Sequence, residues 1–104
     1  MIKINVNNLM EFTKENSNRK EIFKREPIDT GLLLYMPGQK TTEHMHSNMD
    51  EIFYVINGEG TITINGESAP LREGDTIYSP RGEKHGFYNT GNNNLTVLQI
   101  KLTD

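Results

Sequence analysis

The feature that most constrains this chain is its punctuation. Two Asn-Gly pairs, Asn57-Gly58 and Asn65-Gly66, stand eight positions apart. The first follows the apolar run Ile52-Phe53-Tyr54-Val55-Ile56, and the second follows the alternating run Thr61-Ile62-Thr63-Ile64. Asn-Gly between extended runs is a strong hairpin signal, because both central residues of a type I′ turn need positive φ. The two turns therefore predict a β-meander. Gly74-Asp75 predicts another turn, before Thr76–Ser79. Pro80-Arg81-Gly82 breaks the chain ahead of an extended His85–Tyr88, and the Gly91–Asn94 loop leads into a final strand, Leu95–Leu102.

Upstream, strand-like runs occur around Ile22 and Phe23 and from Thr30 to Met36, the second ended by Pro37-Gly38. Ile2, Ile4 and Val6 alternate with polar residues and predict a half-buried strand. Asn8 to Asn16 predicts a helical turn with Asn8 as its N-cap. Many short strands at this spacing indicate an all-β sandwich or barrel rather than a helical bundle or a βαβ fold.

A chain of 104 residues points to one domain, residues 1–104. Its apolar fraction is 34% and its mean hydropathy −0.65, which implies a thin core under a polar shell. Proteins of that kind gain stability from a bound metal or a partner subunit. There is no cysteine, so disulfides and thiolate metal sites are excluded. The net charge is −3, and the most basic stretch, Arg19 to Arg25, is interrupted by Glu21, Ile22 and Phe23. It reads as a strand with a solvated charged face, and no nucleic-acid partner is expected. No apolar run approaches bilayer length, so no membrane span is expected. The N-terminus alternates instead of forming a signal-peptide block, so a cytoplasmic location is expected.

The three histidines of the chain are His44, His46 and His85. In a strand, residues i and i+2 point to the same face, so His44 and His46 aim two imidazoles at one point. A short loop, Ser47 to Asp50, brings Glu51 beside them, and His85 arrives on a later strand. A His-x-His pair alone carries little information. Here every histidine falls within one scheme and an acidic residue completes it. Three imidazoles and a carboxylate suit a divalent transition metal such as Zn, Mn, Fe or Ni. Four protein ligands leave room in an octahedral shell for water or a small molecule, which favours ligand capture or catalysis over a closed structural site.

The sequence resembles the cupin superfamily at two motifs. The first, residues 38–58, has Gly38, His44, His46, Glu51 and Gly58 at the family's spacing; the second, residues 74–89, has Gly74, Pro80, Gly82, His85 and Asn89. The resemblance implies a jelly-roll-like β-barrel with one divalent ion per chain held by His44, His46, Glu51 and His85. It gives Asn89 a strand-end role rather than a ligand role. The short segment between the motifs resembles compact microbial cupins, which implies a homodimer. The run Ile52–Ile56, apolar on both faces, agrees with that, although cover from within the chain competes.

By strand parity Phe53 and Val55 share the face of Glu51, and Phe87 that of His85; they are expected to wall an apolar pocket. Gln99, opposite in parity to Leu98 and Ile100, has the parity to reach into the pocket, but an outward-facing glutamine is the leading expectation. Tyr35, Met36, Tyr78 and Arg81 are weaker pocket candidates, and catalytic residues are not assigned. The leading expectation is a metal-dependent enzyme acting on a small polar metabolite, by isomerase-, epimerase- or dioxygenase-like chemistry. The alternative is a non-catalytic, metal-dependent module that binds or senses a small molecule. A metal-stabilised structural domain ranks third.

Overall fold

The computed structural model describes residues 1–103. Eight strands form two antiparallel sheets: β1 (Asn18–Arg25), β2 (Ile28–Tyr35), β3 (Met49–Asn57), β4 (Gly60–Ile64), β5 (Glu67–Leu71), β6 (Thr76–Ser79), β7 (His85–Tyr88) and β8 (Leu95–Thr103). The larger sheet has the order β1-β2-β8-β3-β6 and the smaller β5-β4-β7. The all-β, jelly-roll-like expectation holds; the two sheets face each other without closing into one hydrogen-bonded barrel.

The core is the space between them. Tyr35, Phe53, Val55, Leu95 and Val97 from the larger sheet meet Ile62, Leu71 and Phe87 from the smaller side. Each fully buried apolar side chain contributes roughly 1.5–3 kcal/mol. The alternation on β3 is clean: Glu51, Phe53 and Val55 are buried while Ile52 and Tyr54 are exposed. That is the period-2 pattern of a strand with one face on a core.

The two Asn-Gly pairs behave differently. Asn65 and Gly66 both have positive φ, 47° and 84°, and join β4 to β5 as a hairpin with Ile64 opposite Glu67. Asn57-Gly58 makes no hairpin, which corrects the meander expectation. β3 and β4 belong to different sheets, and only Gly58 of that pair has positive φ. A Cβ on Gly58 would lie 2.4 Å from the carbonyl oxygen of Asn94, so here glycine permits a close crossing between sheets. Gly74 and Gly82, also with positive φ, lie in the other connections that pass between the sheets.

The N-terminus departs most from expectation. Ile2, Ile4 and Val6 form no strand, and the helical turn is a short 3-10 turn, Val6–Leu9, rather than one starting at Asn8. Its cap is Asn5, whose side chain accepts from the backbone N–H of Asn7 at 3.0 Å. Beyond this turn, Met10 and Thr13 make contact with the body of the molecule. Thr96 Oγ1 on β8 donates to Met10 Sδ at 3.7 Å, and Gln39 Nε2 donates to the Thr13 carbonyl at 2.7 Å. Leu34, the register partner of Thr96, is fully buried although it faces away from the inter-sheet core.

Farther along, the outer face of the larger sheet becomes more exposed, although Leu32 on β2 is fully buried. Phe23, Thr30, Ile100, Ile52 and Tyr78 are successive cross-strand partners over all five strands. Phe23, Ile52 and Tyr78 are exposed, as is neighbouring Tyr54.

Candidate metal centre and ligand cavity

The structure brings His44, His46, Glu51 and His85 together at one end of the inter-sheet space. His44 lies in an extended segment that pairs with β7: the backbones of His44 and His85 exchange two hydrogen bonds of 2.9 Å. This bridge does locally what the strand-parity argument requires of the His-x-His pair. The His44 and His46 ring centroids are 5.0 Å apart, and those of His44 and His85 4.8 Å apart. Glu51 comes from the inner face of β3, where its register partner on β6 is Ser79.

Glu51 is 1% exposed, and its two oxygens have different surroundings. Oε2 accepts from Gln99 Nε2 at 3.0 Å. Oε1 has no hydrogen-bond partner. It stands 3.5 Å from His46 Nε2 and 3.6 Å from His85 Nε2, too far for either to be a hydrogen bond. Burial pushes the His46 imidazole below its ordinary pKa, opposed by Glu51 and assisted by His44 and Lys101. Burial likewise lowers His85, opposed by Glu51 and assisted by the other two histidines. Burial thus favours the neutral form of both rings, and a buried carboxylate oxygen faces their Nε2 atoms.

The Nδ1 atoms of His44 and His85 are engaged. His44 Nδ1 is 2.9 Å from the Thr42 carbonyl, which can only accept, so this nitrogen carries the proton. His85 Nδ1 is 3.0 Å from Ser79 Oγ. A proton on Nδ1 leaves Nε2 with a free lone pair, the state a metal-ligating imidazole needs. Among the described residues, no group of three or more His, Cys, Asp or Glu side chains is arranged so that it could hold a metal ion as it stands. The imidazoles remain slightly splayed, with the His46 and His85 centroids 6.4 Å apart.

Beside this cluster lies a cavity of about 300 Å³. Leu33, Tyr35, Phe53 and Phe87 are its apolar wall, and Arg19, Thr41, Gln99 and Lys101 its polar lining. Another hollow of about 280 Å³, along Lys40–Glu43 and Gly86–Tyr88, carries no histidine. Of the wall expected from parity, Phe53 and Phe87 line the cavity while Val55 is buried in the core and does not, and Tyr35 joins the lining. Burial raises the Tyr35 phenol to about 12, so it is a hydrogen-bonding group at neutral pH, its oxygen 3.1 Å from Thr41 Oγ1. Met36, Tyr78 and Arg81 are not in the lining. Arg81 instead binds Asp50 through Nη2 at 3.2 Å, and Tyr78 is exposed on the outer face.

Two expectations are overturned. Gln99 faces inward: it is 6% exposed and hydrogen-bonded to Glu51. Its parity was legible, since Leu98 and Ile100 lie on the outer face and Gln99 opposes Phe53; a preference for solvated glutamine misled. Arg19 is not simply part of a solvated charged face. It donates from Nε to Gln99 Oε1 at 2.7 Å and from Nη2 to Asp29 at 3.0 Å. Ser79 and Lys101 are further site residues that no motif spacing marks.

The family model for the Cupin domain matches residues 31–101. The chain belongs to the cupin domain family. This cupin is 38% identical over 64 residues to the Oxalate-binding protein of Thermotoga maritima, a match covering 62% of this chain and 53% of that one. It is 36% identical over 56 residues to the tetracenomycin polyketide synthase protein TcmJ of Streptomyces glaucescens, covering 54% and 38%. The matched stretch thus spans about half or less of these relatives' length. Among solved structures, the cupin superposes on the TT1209 protein of Thermus thermophilus with a TM-score of 0.93 at 24% identity, covering 99% and 98% of the two chains. An RmlC-like cupin of Desulfovibrio desulfuricans gives 0.89 at 19%, covering 98% and 96%. At these identities the likeness concerns the fold.

Proposed function

We propose that this cupin holds one divalent metal ion through His44, His46, Glu51 and His85 and uses it to bind a small, oxygen-rich anion in the adjoining cavity. The observation that carries this reading is the orphaned Glu51 Oε1, buried between His46 Nε2 and His85 Nε2 at 3.5 and 3.6 Å. A buried carboxylate oxygen flanked by two imidazole nitrogens is the donor chemistry that a shared divalent cation takes. A buried unpaired carboxylate oxygen is costly, and a cation among these lone pairs removes the cost. Zn, Mn, Fe and Ni all accept this donor set, whereas the lack of thiolates disfavours softer ions.

The polar lining sets the ligand class. Outside the four proposed ligands it consists of Arg19, Thr41, Gln99 and Lys101 with the Tyr35 phenol, so its charged groups are cations. With apolar walls and a volume of about 300 Å³, this favours a compact carboxylate of a few carbons. The name of the Thermotoga maritima relative points to the same class. When bound, the metal would supply a Lewis-acidic centre for carboxylate oxygens; Lys101 adds positive charge, and Phe53 and Phe87 exclude water. Catalysis on such a ligand is the second reading, favoured by Lys101, the register partner of Glu51 and part of the cavity lining.

The test is elemental analysis of protein purified without a metal-affinity tag, followed by calorimetric titration with oxalate and other small carboxylates, with and without metal. Binding that requires metal supports the reading, and turnover of the bound acid moves it to the second. Absence of metal at any stoichiometry overturns both.

The cross-strand row of Phe23, Ile52 and Tyr78 supports a further proposal, that a second copy of the chain covers the exposed part of the outer face and that the protein is a homodimer. A cytoplasmic location also remains a proposal; no helix among the described residues is long and apolar enough to cross a membrane.

A further inference from the structure

We infer that Gln99 and Arg19 are positioning residues for the metal-facing carboxylate, acting as one relay in which Arg19 orients Gln99 and Gln99 orients Glu51. The inference rests on the metal reading above. A carboxylate terminal torsion is broad and two-fold, so burial alone does not decide which oxygen faces the imidazoles. The Gln99 amide decides it by donating to Oε2 at 3.0 Å and leaving Oε1 for the metal.

An amide has a donor end and an acceptor end, and something must set which way it points. The Arg19 guanidinium only donates and the Glu51 carboxylate only accepts, so a single orientation of Gln99 satisfies both. Arg19 Nε donates to Gln99 Oε1 at 2.7 Å, which turns the NH2 group toward Glu51. Arg19 is fixed in turn by Asp29, to which Nη2 donates at 3.0 Å. This pair also neutralises a guanidinium that would otherwise repel a nearby metal ion, so the relay delivers a directed dipole to Glu51 rather than a bare charge.

Gly31 completes the device. On β2 it lies between its register partners Glu21 on β1 and Gln99 on β8. A Cβ there would fall 2.7, 2.8 and 2.9 Å from the Cζ, Nη2 and Nε atoms of Arg19. Gly31 is not among the glycines with positive φ, so its backbone does not demand glycine. What it supplies is clearance, letting the guanidinium lie across β2 from the edge strand to reach β8. The atoms in the way are the far end of a flexible side chain, so an alanine there displaces Arg19 rather than the fold.

The experiment compares wild-type protein with Arg19→Met, Gly31→Ala, Gln99→Met and the Arg19→Met/Gly31→Ala double variant. Mn2+ affinity is read from the electron paramagnetic resonance signal of free Mn2+, and the apo fold from circular dichroism and thermal melting. Each single variant should weaken Mn2+ binding by about tenfold with the apo spectrum unchanged, the scale expected for loss of a partner that orients a ligand. The double variant should be no weaker than Arg19→Met alone, because both changes break the same link. A merely structural role would lower the melting midpoint without this non-additivity in metal affinity. Affinities within about twofold of wild type, or a double variant weaker by the product of the singles, overturn the relay. If Gln99→Met fails to fold, the Arg19 and Gly31 variants decide. Wild-type protein that binds no Mn2+ overturns the metal reading itself, a result distinct from intact binding in every variant.

Discussion

Glu51 Oε1, buried and without a hydrogen-bond partner, lies 3.5 Å from His46 Nε2. A buried carboxylate oxygen left unpaired is costly, and a bound cation would remove that cost. The strongest consequence is compositional. The His44→Ala/His46→Ala double variant should lose its metal, with affinity falling by more than about 100-fold, beyond the cost of losing an orienting partner. Its far-ultraviolet spectrum should be retained, because His44 is exposed and His46 half-buried. Elemental analysis that still finds stoichiometric metal refutes the ligand set.

Metal removal should be visible as lost stability. With free metal at about 100 times its dissociation constant, binding adds about 2.7 kcal/mol to the folded state. For a domain of this size that is about 10–20 °C in melting midpoint. Calorimetric scans with and without a strong chelator check this, and an unchanged midpoint counts against a resident ion.

The pH dependence follows from burial. Desolvation holds the His46 and His85 pKa values below the ordinary 6.5 in the folded state. Below about pH 6.5 the unfolded chain takes up protons that these folded histidines resist, so ν_U exceeds ν_N and stability rises with pH there. Stability of the metal-free protein should thus be level above pH 6.5 and decline as pH falls below it. Metal affinity needs neutral imidazoles, so its loss should also begin below 6.5 rather than at it. Chemical denaturation and metal titration from pH 5 to 8 read both, and affinity unchanged at pH 5 contradicts imidazole ligation.

Asn89 should be a stability residue and not a site residue. It is fully buried, donates from Nδ2 to the carbonyls of Tyr35 and Asn93 at 3.0 and 2.9 Å, and accepts from Gly91 N–H at 3.0 Å. Asn89→Ala removes three hydrogen bonds and should cost about 2–4 kcal/mol in denaturant melts. Metal stoichiometry of the folded fraction should be unaffected; its loss would place Asn89 in the site.

The outer face gives an orthogonal prediction. Ile52→Lys puts a charge at the middle of the exposed cross-strand row without touching the inner face of β3. Sedimentation should show a dimer for the wild type and a monomer for the variant, both binding metal. A wild type that sediments as a monomer at high micromolar concentration disposes of the dimer.

Much of the fold was legible because strand periodicity and turn chemistry are local. β6 and β7 match the expected runs, β8 ends within one residue of expectation, and Asn65-Gly66 is the hairpin its dipeptide predicts. Asn57-Gly58 was misread because an Asn-Gly pair marks positive φ but not which sheet the next strand joins. The N-terminal alternation of Ile2, Ile4 and Val6 was misread because alternation supplies a pattern but not a partner strand, and these residues join neither sheet.

By itself the sequence determined the inventory: all-β strands, three histidines, and a glutamate spaced to join them, because side-chain chemistry and period-2 geometry are written residue by residue. The tertiary structure decided which lone pairs meet, that Gln99 turns inward to hold one carboxylate oxygen, and that Arg19 reaches it across the bare backbone of Gly31. Those relations join residues as many as 80 positions apart. Distances of that kind arise only when two sheets pack, and no local pattern encodes them.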